Sequence, residues 1–197
     1  MFFVNYKFIV LMYNKCIISV DSKPARKDSD PQMIPLEIER KFLIRQTAEL
    51  FDKCSEKTDI VQTYLVKTDP SIQRRVRSMT AKGCAKYFYT EKRFLSASTR
   101  EENEREISRE EYEVLRSEAD PDLVPIIKTR HILNYNSQRF EIDSYPFSDE
   151  FASMELELSD EKQEIYFPPF AEIIREVTGD KRYSNASLAK NGCFPDE

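Results

Sequence analysis

From residue 35 onward the chain is written in period two, and along most of the segments the positions that are not apolar are charged. Successive side chains of a strand point to opposite faces, so this alternation selects strands over helices. The first segment, residues 35–45, sets Leu36, Ile38, Arg40 and Phe42 on one face and Glu37, Glu39, Lys41 and Leu43 on the other. Further strands are expected over 59–67, 73–79, 86–94, 102–107, 124–133, 137–145 and 151–158, with a hairpin turn at Asn134-Tyr135-Asn136. Three short helices interrupt them. One covers 47–53 with Thr47 as its cap. A second starts at Ser108, where Glu111 completes a capping box and Tyr112 and Leu115 share a buried face, and it ends at Asp120-Pro121. A third is expected from Pro168-Pro169 to near Gly179. The expectation is an α+β fold dominated by an eight-stranded antiparallel sheet.

The polar face sorts its charges by strand. Glu37 and Glu39 on the first strand, Glu102, Glu104 and Glu106 on the fifth, and Glu155 and Glu157 on the eighth are acidic. Arg75 and Arg77 on the third strand, Lys86 and Lys92 on the fourth, and Lys128 and Arg130 on the sixth are basic. Arg139, Glu141 and Asp143 mix both signs on the seventh. An open sheet with one wet face also alternates, but solvation requires no such sorting. Helices covering the apolar faces would turn the charges inward, and an enclosed charged lumen is costly unless its charges are paired or bound by ligand. Arg75, Arg77, Lys92, Lys128 and Arg130 suit a multi-oxygen anion. Glutamates at i and i+2 on a strand point the same way and suit a hard divalent cation such as Mg²⁺ or Mn²⁺.

Composition excludes other classes. The net charge of −5 makes a poor general binder of nucleic acid or anionic membrane. Cys16, Cys54, Cys84 and Cys193 are scattered without a C-x-x-C, which argues against zinc and for reduced thiols. Residues 1–32 are apolar at first and then polar and charged. They are expected to lie outside the fold, with Met33 as a candidate start and a weak membrane-directing leader as the alternative. The domain then spans 33–190, followed by a tail over 191–197.

The run Glu37-Ile38-Glu39-Arg40-Lys41-Phe42-Leu43 resembles the E-x-E-x-K signature of the CYTH superfamily, the triphosphate tunnel metalloenzymes. Gln62-Thr63-Tyr64-Leu65 is similar to the family's second strand, Arg75-Val76-Arg77 to its R-x-R strand, and Tyr89-Thr90-Glu91-Lys92 to its T-x-K strand. Residues 100–107, Lys128-Thr129-Arg130, Phe140-Glu141-Ile142-Asp143 and Met154-Glu155-Leu156-Glu157-Leu158 continue the resemblance. Glu176-Val177-Thr178-Gly179-Asp180 and Tyr183-Ser184-Asn185 resemble the ending of short bacterial-type members.

The resemblance implies an eight-stranded antiparallel β-barrel, the triphosphate tunnel, with a few flanking helices. It implies a Mg²⁺- or Mn²⁺-dependent triphosphatase, with Glu37, Glu39, Glu155 and Glu157 as metal ligands or their close partners. Lys41, Arg75, Arg77, Lys92, Lys128 and Arg130 become phosphate binders. Lys41, Glu104, Glu106 and Asp143 are the catalytic candidates, Glu104 or Glu106 positioning the attacking water and Asp143 or Glu104 assisting the metal. Glu91 departs from the pattern and is expected to point outward. Arg139 adds a lumen charge with no assigned part, and His131 is expected outside the tunnel.

Inorganic tripolyphosphate is the leading substrate. Thiamine triphosphatase, RNA 5′-triphosphatase and class IV adenylate cyclase activities are alternatives within the fold. A module that binds polyphosphate or a nucleotide without chemistry is the alternative of a different class. No nucleic acid and no stable membrane association are expected, a homodimer is allowed for, and the expected location is cytoplasmic.

Overall fold

The computed structural model describes residues 38–94, 100–160 and 162–196. The expectations for residues 1–32, and for Glu37 at the head of the first strand, lie outside the described residues. The elements run β1 (Ile38–Arg45), α1 (Ala48–Asp52), β2 (Glu56–Tyr64), β3 (Ile72–Ala81), β4 (Cys84–Phe94), β5 (Arg100–Ile107), α2 (Arg109–Arg116), β6 (Ile126–Tyr135), β7 (Gln138–Ser144), β8 (Phe151–Leu158), β9 (Ile173–Glu176), a 3₁₀ turn (Lys181–Tyr183) and α3 (Asn185–Asn191). All pairings are antiparallel, in the order β5-β4-β3-β2-β6-β7-β8-β1-β9.

The α+β antiparallel architecture is as the sequence implies, with two differences. Among the described residues there are nine strands rather than eight, and β5 and β9 are the outer strands of a hydrogen-bond ladder that does not close. The ninth strand replaces the helix expected over 168–179. Pro168-Pro169 is a helix-opening signal, but the β-branched run Ile173-Ile174 supplies a partner for the outer edge of β1, which would otherwise be unpaired. The C-terminal helix comes later, with Ser184 capping its start and Gly192 taking the left-handed conformation at its end. Two-residue hairpins turn at Lys82-Gly83 and Asn136-Ser137, all four at positive φ as a type I′ turn demands. The second turn therefore falls one to two residues beyond the position read from Asn134-Tyr135-Asn136.

The apolar core lies on the convex side of the sheet. Phe42, Ile44, Leu133, Phe140, Ile142, Met154 and Leu156 of β1, β6, β7 and β8 form one cluster, covered by Leu50 and Phe51 of α1 and by Ile165 and Phe170. Val76 and Ile107 form a second with Leu65, covered by Tyr112 and Leu115 of α2. Each such side chain contributes roughly 1.5–3 kcal/mol when fully buried. Covering this side commits the alternate residues to the concave side. The C-terminal segment plugs one end of that concavity. Tyr183 is fully buried against Leu43 and Val177, Leu188 and Ala189 pack with Tyr64, Ile126 and Tyr145, and Phe194 packs on Tyr145, Phe147 and Tyr183. His131 sits on the convex side, its ring 4.5 Å from that of Phe51. Glu91 points outward as well, accepting a hydrogen bond from the Tyr89 hydroxyl at 2.5 Å. Cys54 and Cys193 are free thiols. Among the described residues no helix is long and apolar enough to cross a membrane.

Candidate functional site

Register decides which charges share the concavity. Glu39 of β1 lies opposite Glu157 of β8, and Lys41 opposite Glu155. Glu155 in turn lies opposite Glu141 of β7, and Asp143 opposite Arg130 of β6. Across β2, Ile60 faces Lys128 and Gln62 faces Arg77; Thr90 of β4 stands between Arg75 of β3 and Glu104 of β5. Lys92 of β4 is close enough to Glu39 on β1 to act on its charge, although six strand steps separate them in the sheet. The sheet therefore curls until its flanks face each other across a charged channel.

The channel grades from an exposed acidic mouth to a buried ionic floor. At the floor the Lys128 ammonium lies 2.5 Å from Asp143 Oδ2, with the two side chains only 3% and 1% exposed. Arg130 grips both Asp143 oxygens at 2.7 Å, reaches Glu155 at 3.3 Å and also pairs with Glu141. Burial alone would raise the Asp143 pKa, but Arg130 and then Lys128 outweigh it and hold the carboxyl well below the usual carboxylate range. Burial pushes the Lys128 ammonium down to about 8 against the pull of Asp143. Lys41 pairs with Glu155 at 2.9 Å.

On the other flank Glu102 binds Lys92 at 2.7 Å and Arg75 at 3.1 Å, while Glu104 pairs with Arg77 and accepts from the Thr90 hydroxyl at 2.7 Å. Glu106 stands apart: it is 57% exposed and, among the described residues, pairs only with Lys86, at 3.5 Å. The structure thus brings Lys41, Arg75, Arg77, Lys92, Glu104, Lys128, Arg130, Asp143 and Glu155 onto one lined surface, with Glu39 and Glu157 at its mouth and Glu106 at its edge.

Two features are left unsatisfied. Nε of Arg75, of Arg77 and of Arg175 and Nε2 of Gln62 are buried donors without an acceptor among the described residues. Burial, and next the neighbouring Arg75, weaken the proton affinity of Arg77. At the mouth, Glu39 and Glu157 form no ion pair with any described residue. Although Glu39 keeps contact with solvent, desolvation by the channel walls and then repulsion from Glu155 raise its pKa. Glu39, Glu141, Glu155 and Glu157 line one hollow together with Arg139.

This hollow offers the all-oxygen donor set that a hard cation prefers. Among the described residues no three acidic side chains converge as a ready-made cage. That is compatible with Mg²⁺, which keeps several waters and uses one or two carboxylates plus substrate phosphates. Glu39 and Glu157, unpaired and adjacent in register, fit that requirement.

Several lining residues escaped the sequence-based site. Glu141 repeats the i, i+2 spacing with Asp143 that marked the other acidic pairs. Gln62 follows from the parity of β2. Arg175 was hidden by the helix expected at β9; it lies opposite Leu43 and donates to the Tyr183 hydroxyl.

A curled antiparallel sheet, apolar outside and lined inside by buried arginine donors facing an acidic mouth, has the form of a charged tunnel. The chain matches the CYTH domain over residues 35–192. It also matches two crystal structures of the protein NE1496, one of which names it an inorganic triphosphatase. That one is 30% identical, covers 78% of this chain and 94% of its own, and superposes with a TM-score of 0.53; the other is 30% identical, covers 81% and 99%, and gives 0.54. PH1819 from Pyrococcus horikoshii OT3 is 20% identical over 63% of this chain and 80% of its own, with a TM-score of 0.47. No curated protein matches. This chain belongs to the CYTH family, the triphosphate tunnel metalloenzymes.

Proposed function

We propose that the protein hydrolyses the terminal phosphate of a small triphosphate, inorganic tripolyphosphate foremost, with Mg²⁺ or Mn²⁺. The observation that carries this reading is the group of buried donors without acceptors on Arg75, Arg77 and Gln62. Each such donor costs about 1–3 kcal/mol, more when charged, and phosphate oxygens would satisfy all three together. NE1496, named an inorganic triphosphatase, supports the same class of substrate. The net charge of −5 suits a small substrate in a local basic channel rather than nucleic acid, and a cytoplasmic setting goes with that reading.

In this mechanism Arg75, Arg77 and Lys92 hold the phosphate chain along one flank, and Lys41 and Arg130 meet it from the other, with Lys128 beneath. Glu39 and Glu157, with Glu155 beside them, would hold the cation, which when bound supplies positive charge to phosphate oxygens between two acidic walls. The preorganised basic side chains stabilise charge on the transferring group and its leaving oxygen without reorganising. Glu104, anchored by Thr90 and Arg77, orients the attacking water by accepting its hydrogen bond. Asp143 acts by fixing Lys128 and Arg130 in place.

A phosphate-release screen over tripolyphosphate, thiamine triphosphate, ATP and a 5′-triphosphorylated RNA, with Mg²⁺ or Mn²⁺, tests the reading. Orthophosphate from tripolyphosphate at the highest kcat/KM is the expected result. Pyrophosphate from ATP would replace hydrolysis with cyclisation, and binding without turnover would leave a sensor module. Glu39→Gln should lower metal-dependent turnover roughly a hundredfold, within the range for losing one electrostatic contributor. Its melting midpoint should stay within about 1 °C of wild type, because Glu39 supports no ion pair with a described residue. Wild-type turnover in this variant would remove Glu39 from the site.

A further inference from the structure

Arg139 is the channel charge that the polyanion reading leaves unused. It follows the β6–β7 hairpin and precedes Phe140, which pairs with Leu156 of β8. It shares a hollow with Glu157, which is opposite Glu39. Its Nη1 lies 2.5 Å from Glu141 Oε1, and it is 45% exposed. Together with Glu39, Glu141, Glu155 and Glu157 it lines the acidic hollow. Glu141 is already held from below by Arg130, so the structure does not need Arg139 to neutralise it. A guanidinium on a long, half-exposed stem therefore lines the same hollow as Glu39 and Glu157, the carboxylates without an ion-pair partner among the described residues.

We propose that Arg139 is an internal counter-ion that competes with the divalent cation for this hollow and so sets the affinity for metal. The inference rests on the hollow being the metal site proposed above. In the metal-free protein the guanidinium offsets part of the repulsion among Glu39, Glu141, Glu155 and Glu157. An incoming cation meets that positive charge and must either bind beside it or drive the exposed side chain toward solvent. In both cases affinity is lower than four carboxylates alone would give. Arg139 does not touch the reacting atoms here; it is a positioning residue acting through the carboxylates.

Calorimetric titration of Mn²⁺ alone into the full chain tests this, using wild type, Arg139→Gln and Arg139→Lys at low and high salt. Arg139→Gln is expected to bind Mn²⁺ roughly three- to tenfold more tightly at low salt, with the gain shrinking as salt rises, since a half-exposed charge is screened. Arg139→Lys, which keeps the charge, should stay near wild type. In thermal melts, metal-free Arg139→Gln should fall below wild type and recover more on adding Mn²⁺. Equal affinity of wild type and Arg139→Gln would overturn the inference while leaving the metal site standing. Weaker binding by Arg139→Gln would make Arg139 a support of the site and also overturn it. Failure of all three proteins to bind Mn²⁺ would overturn both the inference and the metal reading.

Discussion

Replacing Arg77 with alanine is expected to lower tripolyphosphate turnover by about 10²–10³-fold without lowering the melting midpoint. The two halves of that expectation come from the same geometry. Arg77 is buried, its Nε has no acceptor, and burial together with Arg75 disfavours its charge. In the unliganded protein it is therefore a liability, only partly offset by Glu104. Removing it relieves a buried orphan donor and a like-charge contact, and Glu104 keeps the Thr90 hydroxyl. Arg77→Met, which fills more of the volume, should be at least as stable as wild type. A fall of several degrees in both variants, with activity retained, would make Arg77 a structural partner of Glu104. Arg77→Lys separates charge from shape: it keeps a cation but loses the two-toothed grip on phosphate oxygens, so it should recover only part of the lost turnover. Measuring kcat and KM separately shows whether the lost contact belongs to the bound substrate or to the transition state.

The strands and the polar face were legible because alternation is a local property. Lys41, Arg75, Lys92, Lys128 and Glu155 could be put on one face by counting parity, and the register keeps them there. What parity cannot reach is pairing across strands. It could not show that Asp143 bridges Lys128 and Arg130, because that contact depends on the register of β6 against β7. Nor could it separate Glu104, set in the channel, from Glu106, left at its rim; both have the same parity on β5, and only the strand's position against β4 tells them apart. The misread helix over 168–179 has a different origin. Pro168-Pro169 is a true local signal, but a free edge on β1 and the β-branched Ile173-Ile174 outweigh it, and that tertiary demand is absent from any local window. Arg175 was lost with it. Curling of the sheet lies between these cases: the sorting of sign by strand suggests an enclosed channel, whereas the outer positions of β5 and β9 among the described strands depend on pairing that no local window shows.

Asp143→Ala should be the most destabilising single substitution in the channel, by about 3–5 kcal/mol, since it strands two buried cations. Lys128 would lose the carboxylate 2.5 Å away and Arg130 the partner it grips through both oxygens. Glu155 and Glu141 still reach Arg130, but Lys128 would have no ion-pair partner within 4 Å among the described residues. Asp143→Ala combined with Lys128→Met should therefore recover much of the loss, because the uncompensated ammonium leaves with its partner; additive effects would mean that the two do not act as a pair. The pH dependence carries its own sign. The carboxyl of Asp143 titrates well below its unfolded value of about 3.9, so the folded protein binds fewer protons than the unfolded chain between those two values. Its contribution is fully present above about pH 4 and is lost as pH falls through the folded pKa. Chemical denaturation of wild type and Asp143→Ala at pH 7 and at stepwise lower pH should show a gap that is constant down to about pH 5 and narrows below pH 4. A gap that widened on acidification would require the carboxyl to be protonated in the native state, and the ionic floor of the channel would then have to be rebuilt around a neutral Asp143.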